Sequence, residues 1–124
     1  MEVKLYRCSH CGNIAIKVIN SGVPLVCCGE KMVELIPSST DAAVEKHVPV
    51  VTRTGDKVTV DVGSVAHPMT EEHLINLIIL NTTAGVQIAE LHAGDVPQAV
   101  FTVLPGAEVT QALAYCNLHG LWSN

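Results

Sequence analysis

The sequence is poor in aromatic side chains, in cations and in long apolar runs. Aromatic residues make up 3% of the 124 residues although 48% are hydrophobic, so we expect a core of aliphatic side chains. Lysine and arginine number 7 against 12 acidic residues, and the net charge of −5 argues against nucleic acid or an anionic membrane as a partner. The most apolar run, Leu74 to Leu80, is too short to span a bilayer and contains Asn76. Because no apolar signal region follows Met1, we expect a cytoplasmic protein.

The 5 cysteines are the first positive signal. In a cytosolic protein, closely spaced cysteines are read as metal ligands before disulfides. Four of them form two early pairs, which are Cys8, Cys11, Cys27 and Cys28. Cys116 stands alone near the end, three residues before His119, so that one turn could bring both to one metal. In a secreted protein the same cysteines would instead form two disulfides and leave one free thiol.

Residues 1–37 are predicted to form a small module, and residues 38–124 the main domain. A segment as short as the first cannot bury enough apolar surface to fold alone, and a metal ion would stabilise it directly. Residues 37–41 indicate a linker and a helix cap. We expect one helical turn over residues 42–46, ended by Val48-Pro49.

The two early cysteine pairs offer four thiolates, a tetrahedral set for either iron or zinc. From this motif alone structural zinc is the better interpretation. Cys27 and Cys28 are adjacent, however, and neighbouring side chains tend to point apart. Both can therefore reach one metal only if the backbone bends locally.

The main domain reads as a series of short strands separated by glycine and proline. Residues 57–62 alternate cleanly between polar and apolar side chains and end at Gly63. Further strands are predicted at residues 74–80, 86–91, 99–104 and 109–115. Strands at this spacing indicate an antiparallel β-sandwich or barrel.

Several short motifs follow one another in a fixed order along the chain. They are Cys8-Ser9-His10-Cys11-Gly12, Cys27-Cys28-Gly29-Glu30, Glu45-Lys46-His47-Val48-Pro49-Val50, Gly63-Ser64-Val65-Ala66-His67-Pro68-Met69, His73, and Tyr115-Cys116-Asn117-Leu118-His119-Gly120-Leu121-Trp122. This series resembles desulfoferrodoxin, the two-iron form of superoxide reductase. The resemblance implies a mainly β protein in which a desulforedoxin-like module precedes an immunoglobulin-like antiparallel sandwich.

The resemblance also implies two iron centres. The four early cysteines would hold the first iron, which zinc could replace. The second, catalytic iron would be bound by four imidazoles and one thiolate, from His47, His67, His73, Cys116 and His119. Five such ligands are one too many for tetrahedral zinc and leave one position open on a redox-active iron. His10 and His92 match no ligand position, and we expect both to face solvent.

The implied activity is the one-electron reduction of superoxide to hydrogen peroxide. In the family, the residue at Glu45 closes the sixth position of the ferric iron, and the residue at Lys46 attracts superoxide and holds a water near it. Without the resemblance, this Glu-Lys pair would be an ordinary solvated loop. The family also implies re-reduction by a rubredoxin-like electron donor, and a homodimer.

Two other functions remain open at this point. The protein could be a non-catalytic iron electron carrier or redox sensor, or a zinc-stabilised structural module. The chain also departs from its relatives. It has Leu74, Asn76, Leu77 and Ile79 where they carry tryptophans and glutamates, and His92-Ala93 where they tend to carry Lys-Pro. These changes put the aromatic shielding and the positive charge around the iron in doubt.

Overall fold

The computed structural model describes residues 1–124 as two compact units. The small unit is Glu2–Ile36, and the large unit combines Pro37–Asn124 with Met1. No helix in the chain is long and apolar enough to cross a membrane.

The small unit contains five short strands. They are β1 (Leu5–Arg7), β2 (Ile14–Ile16), β3 (Val26–Cys27), β4 (Glu30–Lys31) and β5 (Val33–Leu35). Strand β1 lies between β2 and β5 in an antiparallel sheet, while β3 and β4 form a separate hairpin. Only Val3, Leu5 and Cys8 of this unit are buried. So small an apolar interior agrees with the prediction that a metal supplies much of the stability.

The large unit begins with one helical turn, α1 (Val44–His47), and continues with seven strands. The strands are β6 (Pro49–Thr54), β7 (Lys57–Val62), β8 (Ile75–Thr82), β9 (Gly85–Glu90), β10 (Gln98–Thr102), β11 (Val109–Cys116) and β12 (Gly120–Ser123). One sheet has the order β10-β7-β6 and the other β12-β11-β8-β9, with every pairing antiparallel. The predicted antiparallel sandwich is confirmed, and it has seven strands.

The core between the two sheets is aliphatic, as the composition predicts. Alternation along β7 buries Val58, Val60 and Val62, and these belong to one cluster with Ile78 and Leu80 of β8. A single aromatic side chain, Phe101, belongs to that cluster. This core fixes the ends of β7, β8 and β11. Most residues of the site described below lie at those strand ends or in the loops next to them.

The five strands predicted in this domain are present, with ends shifted by up to two residues. Strands β6 and β12 were not predicted. Most residues of β6 are exposed, so its sequence does not show the alternation of polar and apolar side chains by which a strand is predicted. Strand β12 is only four residues long, too short for a clear pattern. The predicted helix cap is wrong. The N-cap is Ala43, no side chain caps the turn, and Asp41 lies two residues too early.

Candidate metal centres

The four cysteines of the small unit converge, and their sulfur atoms lie within 4.8 Å of one another. The sulfur of Cys27 is 3.6 Å from that of Cys11 and 4.0 Å from that of Cys28. Thiolates bound tetrahedrally at about 2.3 Å from one ion are about 3.8 Å apart. All four thiols are free of disulfides. The cluster therefore has the size of a four-thiolate metal site.

The backbone at Cys28 shows how adjacent cysteines reach one site. Cys28 has a φ of 53°, a left-handed conformation that is uncommon outside glycine, and Gly29 follows at 75°. This is the local bend that the adjacent pair predicts. A bound metal would offset the cost of the left-handed conformation at Cys28.

The pKa values of the cysteine thiols also indicate that a cation would stabilise the cluster. The backbone amide of Cys11 donates to the sulfur of Cys8 and holds the pKa of Cys8 down at about 6. Hydrogen bonding with the Cys11 thiol raises the pKa of Cys28 to about 12, and the pKa of Cys27 is raised as well. The Cys8 thiol therefore ionises readily, whereas the raised pKa values of Cys27 and Cys28 oppose the formation of further thiolates beside it. A metal ion removes that obstacle.

The second cluster is assembled from segments that are distant in sequence. His47 is the last residue of α1, and Cys116 is the last residue of β11. His67 and His73 lie in the connection between β7 and β8, and His119 lies in the turn between β11 and β12. The donor atoms of these five residues lie within 4.8 Å of one another. The structure thus brings together the complete set that the resemblance implied.

The four imidazoles form a closed, nearly square ring. The ring centroids of His47 and His67, of His67 and His73, of His73 and His119, and of His119 and His47 are 4.7, 4.6, 5.1 and 4.9 Å apart. The diagonal from His47 to His73 is 6.5 Å, close to the length expected for a square of that side. Four donors therefore surround one point.

Hydrogen bonds fix which nitrogens face that point. Nδ1–H of His47 donates to the carbonyl of Ala43 at 2.7 Å, and Nδ1–H of His67 donates to the carbonyl of Pro68 at 2.6 Å. In neutral rings the Nε2 atoms are then unprotonated, yet they face each other at 3.2 Å. Nδ1 of His119 is 3.1 Å from Nε2 of His47.

Lone pairs held this close repel unless a cation lies between them. Nitrogens that share one ion at about 2.1 Å are about 3.0–3.4 Å apart, depending on the bond angle. The observed 3.1 and 3.2 Å agree with that range. Nε2 of His73 is buried without a hydrogen-bond partner, as a ligand atom would be in the absence of its metal.

The fifth donor, the Cys116 thiol, is fully buried. Its sulfur is 3.8 Å from Nδ1 of His119. Burial raises the pKa of this thiol, while the amides of Leu118 and His119 act in the opposite direction. Because burial raises its pKa, a nearby cation would favour the thiolate form of Cys116. Neutral imidazoles and one thiolate form a donor set that suits iron.

Trp122, the only tryptophan of the chain, covers one side of the ring. It is 3% exposed, and its ring stacks on His47 with centroids 5.0 Å apart. Its Nε1–H donates to the carbonyl of His119. One aromatic side chain therefore packs directly against the site. Sequence reasoning treated Trp122 as part of a motif and missed this contact.

The metal-free protein should lose stability as the pH falls from about 6.5 to about 4. Burial lowers the pKa of His67 to about 4, and it also lowers the pKa of His73. Between those pH values the unfolded chain binds more protons than the folded one, so each such histidine lowers the free energy of unfolding by up to about 1.4 kcal/mol per pH unit. Urea unfolding across this range would measure the slope. His67→Gln should flatten it, and an unchanged slope in that variant would contradict the assignment.

Glu45 and Lys46 lie in α1, beside the ligand His47, and both are exposed. The carbonyl of Glu45 accepts hydrogen bonds from the amide of Val65 at 2.9 Å and from the hydroxyl of Ser64 at 3.2 Å. These contacts hold α1 against the loop that follows β7. The Lys46 ammonium is close enough to His73 to contribute to the lowering of its pKa, after burial and the neighbouring His119 and His47.

His10 and His92 are solvent-facing, as predicted. The side chain of His10 is 53% exposed and pairs with Glu30, and that of His92 is 73% exposed and lies between Glu90 and Asp95. Neither belongs to a ligand cluster.

The chain matches two family models in sequence order. Residues 1–35 match the desulfoferrodoxin N-terminal domain, and residues 39–124 match desulfoferrodoxin. A desulfoferrodoxin homolog of Archaeoglobus fulgidus is 46% identical over 123 residues, covering 98% of this chain and 96% of that protein. A desulfoferrodoxin of Syntrophotalea carbinolica is 45% identical over 124 residues, covering 99% and 96%. The superoxide reductase structure from Treponema pallidum superposes with a TM-score of 0.86 at 36% identity, covering 100% of this chain and 99% of that one.

A mainly β protein with a four-thiolate cluster and a cluster of four imidazoles and a thiolate is a non-haem protein with two iron centres. The matches extend over both units and all the ligand motifs. The chain belongs to the desulfoferrodoxin family.

Proposed function

We propose that this protein is a superoxide reductase that converts superoxide, one electron and two protons into hydrogen peroxide. The observation that carries the proposal is the square of four imidazoles completed by a buried thiol. Iron bound there would supply the electron by cycling between its ferrous and ferric states. No dioxygen is produced, which distinguishes the reaction from dismutation.

The residues of the chain have separate roles in this proposal. The five ligands hold the ion, with the tautomers of His47 and His67 fixed by backbone carbonyls. The Cys116 thiolate donates electron density that favours reduction of the oxidant. Lys46 attracts the superoxide anion and holds a water that can supply a proton. Glu45 would provide a carboxylate ligand for the iron in its oxidised state.

Local charge supports the role of Lys46. Ferrous iron with one thiolate and four neutral imidazoles carries a charge of +1, which Lys46 increases, on a chain whose net charge is −5. The site is therefore a local region of positive charge that can attract the anion.

Turnover requires an external electron donor, for which we propose a rubredoxin-like carrier. Exposure of Cys11 and Cys28 supports the four-cysteine centre as a point where electrons enter. Free thiols arranged as ligands support a reducing, cytoplasmic location. We further propose a homodimer. Exposed apolar side chains such as Val18 and Ile19 support an association surface, and light scattering after size-exclusion chromatography would measure the mass.

One spectrum and one rate would test the function. The iron-loaded ferric protein should show a red ferric–thiolate charge-transfer band, which a zinc module would lack. The pre-reduced protein should consume superoxide under pulse radiolysis and yield peroxide without dioxygen. An electron carrier or sensor would show the iron without that rapid reaction, and this result would reject the proposed activity.

Lys46→Ala should slow the bimolecular reaction with superoxide severalfold and flatten its dependence on salt, without releasing iron. The reason is electrostatic, because a nearby cation attracts the anion over distances that salt screens, about 10 Å at 0.1 M ionic strength. Stopped flow or pulse radiolysis across a salt series measures both effects.

Glu45→Ala is the matched control, since it changes the adjacent exposed residue. It should leave the first encounter nearly unchanged and alter the final ferric spectrum, because its proposed role follows turnover. If Lys46→Ala equals the wild type at every ionic strength, the lysine is an ordinary solvated residue.

A further inference from the structure

The Asn117 side chain joins the turn that follows β11 to the segment that contains His73. Its Oδ1 accepts a hydrogen bond from the amide of Leu74 at 3.0 Å, and its Nδ2 donates to the carbonyl of Glu72 at 2.9 Å. Its own backbone amide donates to the carbonyl of Leu74 at 3.2 Å. Three hydrogen bonds thus run from the residue after Cys116 to the two residues that flank His73.

His73 depends on its backbone for its position more than His47 and His67 do. His47 and His67 each have a ring nitrogen bound to a backbone carbonyl, which orients the ring. His73 has a buried Nε2 without a partner, and the bonds to this residue involve its backbone. Its amide and carbonyl bond with Thr70, whose hydroxyl also contacts both groups.

Asn117 and Thr70 therefore hold complementary parts of the same segment. Thr70 binds the backbone of His73 itself, and Asn117 binds the residues before and after it. The carboxamide is the group that fits, because one end must accept from an amide and the other must donate to a carbonyl. A carboxylate would place an oxygen against the Glu72 carbonyl, and an aliphatic side chain would satisfy neither group.

We propose that Asn117 is a positioning residue for the iron ligand His73. It couples the loop of Cys116 and His119 to the loop of His73, so that the thiolate and this imidazole keep their spacing when the iron changes oxidation state. The inference concerns the iron centre on which the proposed function rests, and it holds for iron bound there whatever the substrate.

Asn117→Leu removes both side-chain bonds while keeping the same number and branching of heavy atoms, and Asn117→Asp retains one acceptor while opposing the Glu72 carbonyl. In the metal-free protein, hydrogen exchange of the Leu74 amide should accelerate at least about tenfold in Asn117→Leu and less in Asn117→Asp. In the iron-loaded protein, transfer of iron to a chelator should accelerate about 10- to 100-fold, the range observed when groups that orient a ligand are removed. The rhombicity of the ferric electron paramagnetic resonance signal should change in both variants.

Asn81→Leu is the matched control. Asn81 is a second asparagine whose side chain bonds to backbone, since its Nδ2 donates to the carbonyl of Met1, and it lies near the opposite end of β8 from His73. This substitution should lower stability without changing iron transfer or the resonance signal. Equal changes in both asparagine variants would show a general loss of stability and overturn the proposal.

A double-mutant cycle with His73→Ala completes the test. If Asn117 acts through His73, then Asn117→Leu should change iron transfer little once His73 is absent. An undiminished effect in that background would refute positioning of His73. None of these measurements uses superoxide, so a wild-type protein that fails to reduce superoxide would reject the proposed function and leave this inference standing.

Discussion

Cys116→Ser should abolish the red charge-transfer band of the ferric protein and remove most of its superoxide reduction. The band arises from the bond between sulfur and ferric iron, and serine offers no thiolate. The substituted hydroxyl is nearly the same size, so the packing of this fully buried position should change little. Loss of the thiolate removes both the electron donation that favours reduction and the one anionic ligand of the set.

Two measurements separate that result from general damage. The absorption of the four-cysteine centre should persist in Cys116→Ser, because none of its ligands changes. Cys28→Ser is the reciprocal control, and it should empty or destabilise the small unit while pre-reduced iron at the histidine cluster still reacts with superoxide. Full activity in Cys116→Ser would contradict the mechanism.

The cluster of four early cysteines could be predicted because metal binding depends on residue type and spacing, whereas the set of four histidines and Cys116 was implied by the resemblance of the motif series to a family. The spacing of Cys8 and Cys11 indicates a pair of metal ligands, and the alternation of polar and apolar side chains predicts strand β7. The adjacent Cys27 and Cys28 predict a local bend of the backbone, and the structure shows this bend as a left-handed conformation at Cys28. These features are local in sequence, and local physics determines them.

The features that were missed depend on contacts between distant segments. Asn117 contacts Glu72 and Leu74 because β11 pairs with β8, a register that no single strand reveals. Trp122 stacks on His47 although the two residues lie near opposite ends of the sequence of the large unit, so this contact also depends on the tertiary fold. The edge strand β6 has too little burial to show a pattern.

Substitutions relative to the family are accommodated by apolar packing. Ile79 is 1% exposed and lies opposite the buried Leu113 in the β8–β11 pairing, so an aliphatic residue suits this position. Leu77 lies opposite Tyr115 in the same register. The sequence identified these departures, and the structure places both on the sheet of β8 and β11.

The second large effect is expected at Gly63, which follows β7. Its φ is not in the left-handed region, so the requirement for glycine is space. A Cβ there would lie 2.7 Å from the carbonyl oxygen of Glu45 and 3.1 Å from backbone atoms of Lys46 and Val48. Backbone cannot rotate away as a flexible side chain can, so either α1 or the loop must move.

Gly63→Ala should therefore lower the free energy of unfolding of the large unit by about 1–3 kcal/mol, the usual cost of overpacking. Because the displaced turn ends at His47, the same substitution should change the ferric spectrum and speed the loss of iron from the histidine cluster. Urea unfolding and transfer of iron to a chelator measure the two effects, and the four-cysteine centre should stay intact.

Gly55→Ala distinguishes the displaced ligand from a destabilised sandwich. Gly55 has a φ of 63° and no atom within 4 Å of an added Cβ, so alanine there costs about 1–2 kcal/mol of left-handed strain without touching α1. The two variants should lose comparable stability, but only Gly63→Ala should alter iron retention and the spectrum. If Gly55→Ala alters them equally, stability alone governs the site. If Gly63→Ala alters neither, the close approach between Gly63 and α1 does not position His47.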